Sequence, residues 1–268
     1  MSWESGISFV ITTKNSATNV GRLLDSILAY ASQPYEIIIV DNASDDATLQ
    51  IGRRSGANVT LGGPERSAQR NIGAKLARYQ ELFFLDADME LTPNCVRCAT
   101  ERLISADAVN IREVTVGSHL WQRARNLERQ AYFGHPLYCA PRLFRRSVFE
   151  DLGGYDTDLT GIEDLDLAAR LEAGNYRTAW SGVPLLHHEE RENPFTYLKK
   201  RAYYGITDHR YAVRFPKRWS RQCAILPRFK IITKHARETK ELPLLPMIAF
   251  FRVAERIIRA VSGSHFSR

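Results

Sequence analysis

No apolar run in this 268-residue sequence is long enough to cross a bilayer: the longest, residues 242–251, is about half of the ~20 residues a spanning helix needs and contains Pro243 and Pro246. That stretch does not span a membrane by itself. The first residues, Met1-Ser2-Trp3-Glu4-Ser5-Gly6, lack the basic and apolar regions of a signal peptide, which predicts a cytoplasmic protein. Cysteine is sparse, at 4 residues, and in that compartment its thiols are expected to be reduced. Cys95 and Cys98 form a Cys-x-x-Cys pair, but no second pair completes a zinc site, so they are read as thiols packed on a helix face. Internal repeats and low-complexity tracts are missing too. No nucleic-acid-binding motif occurs, which leaves a nucleic-acid partner unsupported.

What remains has the composition of a folded domain, 44% apolar and 25% charged, with length enough for one large α/β core. The net charge of +7 hides an asymmetry: 19 Lys+Arg face 25 Asp+Glu in residues 1–190, a net −6, whereas 18 face 5 in residues 191–268, a net +13. The chain is therefore read as a body of residues 1–190 with a basic, largely helical extension of residues 191–268. Such an extension calls for an anionic partner, a phosphorylated acceptor or a membrane surface.

Three runs, residues 7–13, 36–41 and 81–85, are apolar enough to be strands buried on both faces. Between them, residues 19–30 place Val20, Leu23, Leu24, Ile27 and Leu28 on one helical stripe, and Asp45 can cap a second helix that Gly56 stops. This alternation predicts a mostly parallel central sheet flanked by helices, with ligands beyond the carboxyl ends of the strands. Acidic residues stand at that edge: Asp41 follows the second run, and Asp86-Ala87-Asp88 follows the third. Two carboxylates one residue apart, where extended geometry breaks down, can face one Mg²⁺ or Mn²⁺ ion that keeps open positions for diphosphate oxygens.

The ordered pieces Ser8-Phe9-Val10-Ile11-Thr12-Thr13-Lys14-Asn15, Val40-Asp41-Asn42-Ala43-Ser44-Asp45-Asp46, Arg70-Asn71-Ile72-Gly73, Asp86-Ala87-Asp88, Leu152-Gly153-Gly154-Tyr155-Asp156 and Gly161-Ile162-Glu163-Asp164-Leu165-Asp166 resemble the family 2 inverting glycosyltransferases of the GT-A fold over roughly residues 5–190. The resemblance implies a GT-A type α/β fold and transfer of a sugar from a UDP- or GDP-sugar donor. It makes Asp41 a base and ribose contact beside Thr12, Thr13 and Asn15, and brings Arg70 and Glu163 to the donor. It gives Asp86 and Asp88 the metal and the sugar-nucleotide end, Asp164 the role of catalytic base, and His187, with His188 as substitute, that of metal or diphosphate ligand. A metal stabilises the departing diphosphate while a base on the opposite side takes the acceptor proton, and the in-line attack inverts the anomeric centre. The Gln-x-x-Arg-Trp element of processive synthases is absent, since Phe215 precedes Arg218-Trp219 at the glutamine position, which favours single addition.

Two other functions are set against this one. A nucleotidyltransferase would carry a glycine-rich phosphate loop after the first strand, where this chain has Thr12-Thr13-Lys14-Asn15-Ser16-Ala17-Thr18. A non-catalytic scaffold would not need every acid the mechanism requires. In the extension, Phe250, Phe251, Ala254, Ile257, Ile258 and Val261 recur at helical spacing with Arg252, Arg256 and Arg259 on another side. That is the pattern of an interfacial helix on the anionic inner face of the cell membrane, where a lipid-phosphate-linked acceptor would be found.

Overall fold

The computed structural model describes residues 3–189 and 193–264; residue 190, where the charge pattern changes, lies outside them. Its first half alternates as the apolar runs predict: β1 (Glu4–Thr13), α1 (Val20–Tyr30), β2 (Tyr35–Asp41), α2 (Thr48–Arg54), β3 (Asn58–Leu61), α3 (Arg66–Leu76) and β4 (Tyr79–Asp86). Then follow β5 (Met89–Leu91), α4 (Cys95–Leu103), β6 (Ala108–Thr115), α5 (Leu120–Tyr132), β7 (Leu143–Arg145), α6 (Arg146–Asp151), α7 (Glu163–Ala173) and β8 (Thr178–His187). Helices α8 (Pro194–Gly205), α9 (Asp208–Arg214), α10 (Pro216–Cys223), α11 (Ile225–Glu238) and α12 (Leu245–Ser264) complete the described chain.

The strands make one mixed sheet in the order β3-β2-β1-β4-β7-β6-β8-β5. The first four are parallel, β7 runs against both its neighbours, β6 and β8 are parallel, and β5 returns antiparallel along β8. Alternate residues of β1 feed opposite layers, as a strand period of two requires: Phe9 and Ile11 pack under α1 and α4, and Val10 packs under α3, α6 and α7. A side chain on Gly73 would collide with Val10, so only glycine lets α3 lie this close to β1.

Local details depart from the sequence reading. Leu28 lies off the buried stripe of α1 and is 52% exposed. Asp46, not Asp45, bonds the first amide of α2, taking Thr48 N at 2.9 Å, because the Asp45 amide is turned to Asn15 Oδ1 at 3.1 Å. Cys95 and Cys98 lie on α4, Cys95 buried and Cys98 half-buried.

The basic helices share the core of the rest. Ile232 and Ala236 of α11 and Ile248 of α12 are buried with Ala124 and Leu127 of α5, and Tyr211 of α9 is buried with Leu159, Ile162 and Ala169. Among the described residues no helix is long and apolar enough to cross a membrane.

Candidate active site

Parallel register sets the three central strand ends side by side: Thr13 pairs with Asp41 and Thr12 with Asp86. Asp41 is fully buried there, accepting from Thr13 Oγ1 at 2.5 Å and from the amide and hydroxyl of Ser44, both at 2.7 Å. It ties the loop after β2 to the loop after β1. Asn15 sits in that second loop with φ +48° and donates its amide to Ser44 Oγ at 2.7 Å.

One arginine organises the acids. Arg70, on the sheet-facing side of α3, is 1% exposed and reaches Asp86 Oδ1 at 2.8 Å, Asp164 Oδ1 at 2.8 Å and Glu163 Oε1 at 3.4 Å. Arg142 takes the other Asp86 oxygen at 3.2 Å. Burial alone would raise the Asp86 pKa, but Arg70 and Arg142 outweigh it and hold the carboxyl well below the usual range. Glu163 moves the other way: burial and the neighbouring Asp164 raise its pKa against the pull of Arg66 and Arg70.

The turn after β4 sends β5 along β8, opposing Met89 to His187 and bringing His187 Nε2 to 3.2 Å from Asp88 Oδ1. The other ring nitrogen lies 3.4 Å from Glu113 Oε2. Burial and Arg129 disfavour the imidazolium, but Asp88 and Glu113 prevail and raise its pKa to about 9. His188 points elsewhere, with Nε2 at 2.7 Å from Glu90 Oε2. Among the described residues no three His, Cys, Asp or Glu side chains converge on a metal position. Asp88 and His187 could hold a hard ion that takes its remaining ligands from phosphate and water.

These groups surround a cleft of about 610 Å³. Thr12, Thr13, Asn15, Asp86, Asp88, Asp164 and His187 line it, and Asp164 keeps 37% of its side chain exposed. Asp41, Arg70 and Glu163 do not line it; they form its floor, at 0%, 1% and 2% exposure. Asp41 and Arg70, expected at the donor, bond the residues above them: Thr13 and Ser44 for Asp41, Asp86 and Asp164 for Arg70. Asp86, expected in the metal set with Asp88 and His187, has its two oxygens engaged by Arg70 and Arg142, while Asp88 lies 3.2 Å from His187. The sequence reading missed Lys14, Arg66, Arg142, Lys200, Arg201 and Tyr204, which also line the cleft. Lys14 belongs to the piece of residues 8–15 and Lys199-Lys200-Arg201 is a visible basic run, whereas Arg142 has no local signal. Gly161, at φ +83°, leaves no room for a side chain beneath Tyr204, which fixes α8 over the cleft.

A family model described as "Glycosyl transferase family 2" matches residues 8–153. The chain belongs to that family. Among curated relatives, the O-antigen chain rhamnosyltransferase RfbN of Salmonella typhimurium is 24% identical over 70% of this chain and 68% of its own length. The pre-mycofactocin glycosyltransferase of Mycobacterium tuberculosis is 31% identical over 78% of this chain, which spans only 48% of that relative. Among solved structures, the mannosyltransferase PcManGT of Pyrobaculum calidifontis, in complex with GDP-Man and Mn²⁺, superposes with a TM-score of 0.69 at 18% identity, over 98% of this chain and 90% of its own. That likeness shows the GT-A fold. The family 2 chain is accordingly a glycosyltransferase that uses nucleotide-sugar donors.

Proposed function

We propose that this family 2 enzyme transfers one sugar, with inversion, from a UDP- or GDP-sugar to an acceptor hydroxyl or phosphate, with Asp164 as base. The observation that carries this reading is Arg70, which bonds Asp86 and Asp164 at 2.8 Å each from beneath the cleft. A single buried guanidinium thereby fixes a donor-side carboxylate relative to the acceptor-side one. In-line displacement needs that separation of roles, and Asp164 is the more open of the two to accept a proton.

Asp88 and His187 would hold Mg²⁺ or Mn²⁺ together with diphosphate oxygens, and the ion would supply charge stabilisation to the leaving group. The PcManGT complex with Mn²⁺ and GDP-Man supports this assignment. Thr12, Thr13 and Asn15 receive the nucleotide, held in place by Asp41. Lys14 and Arg66 add positive charge for the phosphates, and Lys200, Arg201 and Tyr204 close the acceptor side. Residues 1–190 thus carry the donor half, and residues 191–268 complete the site from the other.

We place the enzyme in the cytoplasm at the inner face of the cell membrane, with a lipid-phosphate-linked acceptor. Phe250, Val253 and Ile257 of α12 are 64%, 48% and 59% exposed, an apolar stripe facing outward beside exposed Arg256. Two details of the expected interfacial helix change. Arg252 and Arg259 turn inward to Glu128, Glu255 and Asp208, and Phe251 packs on Trp121 at 4.7 Å. The Val261 side chain lies outside the described residues.

The test is Asp164→Asn, nearly isosteric but unable to accept a proton. Transfer should fall about 10²-fold or more with donor affinity kept. NMR of the wild-type product should show an inverted anomer. Undiminished turnover removes Asp164 from the role, and a retained anomer overturns the mechanism.

A further inference from the structure

A second hollow of about 610 Å³ opens among α9, α10, α11 and α12, away from the strand ends. Its walls include Ala212, Trp219, Phe229, Ile232, Ala249 and Val253. Protein interiors are close-packed, and an apolar hollow of ligand size on the surface of a folded chain is the usual form of a binding site. This one is not isolated. A passage of about 340 Å³ shares Trp219, Cys223 and Arg228 with the hollow, and shares Asp164, Arg142 and Arg201 with the catalytic cleft. Asp164 therefore stands where the cleft meets the passage, on the side from which an acceptor hydroxyl must come.

Arg228 stands where the passage meets the apolar hollow. Its guanidinium lies 4.8 Å from the Tyr138 ring centroid and 5.7 Å from that of Tyr132. Its Nε is buried and has no hydrogen-bond partner among the described residues. A buried donor left without a partner costs free energy that an anionic ligand group would recover. The route thus runs from a proton acceptor, past an arginine with an unused donor, into an apolar hollow.

We infer that this hollow binds the hydrocarbon chain of an amphiphilic acceptor, whose anionic group meets Arg228 and whose hydroxyl or phosphate oxygen reaches Asp164. The inference rests on the proposed transferase reading and narrows its acceptor to an anionic lipid with a long alkyl or prenyl chain. It also accounts for the half-exposed Val253, which walls the hollow and is 48% exposed along the same helix face that meets solvent.

The experiment measures binding of butyl, octyl and dodecyl phosphate to the full chain by calorimetry, each below its micellar concentration, with dodecyl maltoside as the uncharged comparison. Affinity should rise about fourfold per methylene until the hollow is full, so dodecyl phosphate should bind at least about 100-fold more tightly than butyl phosphate. Val253→Glu puts a charge on the wall at a surface position, and Ala249→Trp fills the space. Each should weaken dodecyl phosphate about 10-fold or more, with folding verified by thermal unfolding. Arg228→Gln should weaken dodecyl phosphate and leave dodecyl maltoside unchanged. Affinity independent of chain length, or equal in wild type, Val253→Glu and Ala249→Trp, overturns the inference. Binding of UDP or GDP with Mn²⁺ to the wild type is measured alongside. If nucleotide fails to bind, the donor reading falls on its own; if nucleotide binds and dodecyl phosphate does not, only the lipid site is lost.

Discussion

Two buried ionic clusters hold this molecule together, and they distribute charge in opposite ways. At the sheet edge one buried cation, Arg70, bridges Asp86, Glu163 and Asp164, with Arg142 on Asp86 and Arg66 on Glu163 at its margin. Among the helices, Arg252 reaches both Glu128 and Glu255, while Arg125 lies 3.2 Å from Glu128, and Arg201 and Arg259 each lie 3.5 Å from Glu255. The first cluster aims carboxylates at a cleft, and Arg70 alone joins all three of them. The second clamps α12 to α5 and α8, and has cations to spare. A net charge of +13 over residues 191–268 therefore overstates the positive surface of that segment, because Arg201, Arg252 and Arg259 are turned into the fold.

The sharpest way to break this comparison is Arg70→Met, which fills the space and removes the charge. Three carboxylates, of which Glu163 is buried and Asp86 mostly so, would lose their common partner, at a cost of about 3–5 kcal/mol. Urea unfolding would measure it. A loss below about 1 kcal/mol would mean that Arg66 and Arg142 carry the cluster without Arg70. Next in size is Asp88→Ala, which tests the division of labour across two residues of one motif. Asp88 is 37% exposed and supports no core, so the thermal midpoint should hold. Mn²⁺-dependent nucleotide binding should fall about 10²-fold, because one of the two proposed protein ligands would be gone. Arg252→Met should be milder than Arg70→Met, about 1–2 kcal/mol, since Arg125, Arg201 and Arg259 still neutralise Glu128 and Glu255. Equal penalties for the two arginines would erase the distinction.

The two regions also differ in how far the sequence discloses them. Parallel strands buried on both faces leave continuous apolar runs, so β1, β2 and β4 and the acids after them are legible from residue type alone. Asp164 follows as well, since it stands in the first turn of a helix whose Leu167 and Leu171 are buried and which Gly174 ends. Depth is what the sequence hides. Whether Arg70 and Glu163 line the cleft or lie beneath it depends on α3 and α7 meeting across 93 residues, which no local window contains. In α12 the two stripes are visible, but periodicity does not say which one faces inward. The answer lies in Glu128, on α5, which draws Arg252 into the fold. Arg142 is the same case, defined by Asp86 and Glu113 on other strands.

The smallest expected effect separates the clusters by pH. Burial would raise the carboxyl pKa values of Glu128 and Glu255, but their arginines prevail and hold both below the usual 4.5. A carboxylate depressed in the folded state contributes stability above its unfolded pKa and loses it as pH falls through its folded value. Asp208, beside Arg259, opposes this, because burial raises its pKa above 3.8 and its protonation favours the fold. The partial cancellation, together with the surplus arginines, keeps the net effect small. The docking of α12 should loosen as pH drops below about 4.5, by a few degrees in local melting temperature. Trp121 reports it, since its ring meets Phe251 of α12 edge to face at 4.7 Å and Tyr197 of α8 at 5.1 Å. The difference in fluorescence melting between wild type and Trp121→Phe isolates that signal. Glu255→Gln cannot titrate at this position, so it should already melt earlier at about pH 6 and lose part of the further drop toward about pH 3.5. If wild type and Glu255→Gln shift in parallel over that range, the helical cluster does not titrate as a clamp, and the acid sensitivity belongs to the sheet-edge carboxylates instead.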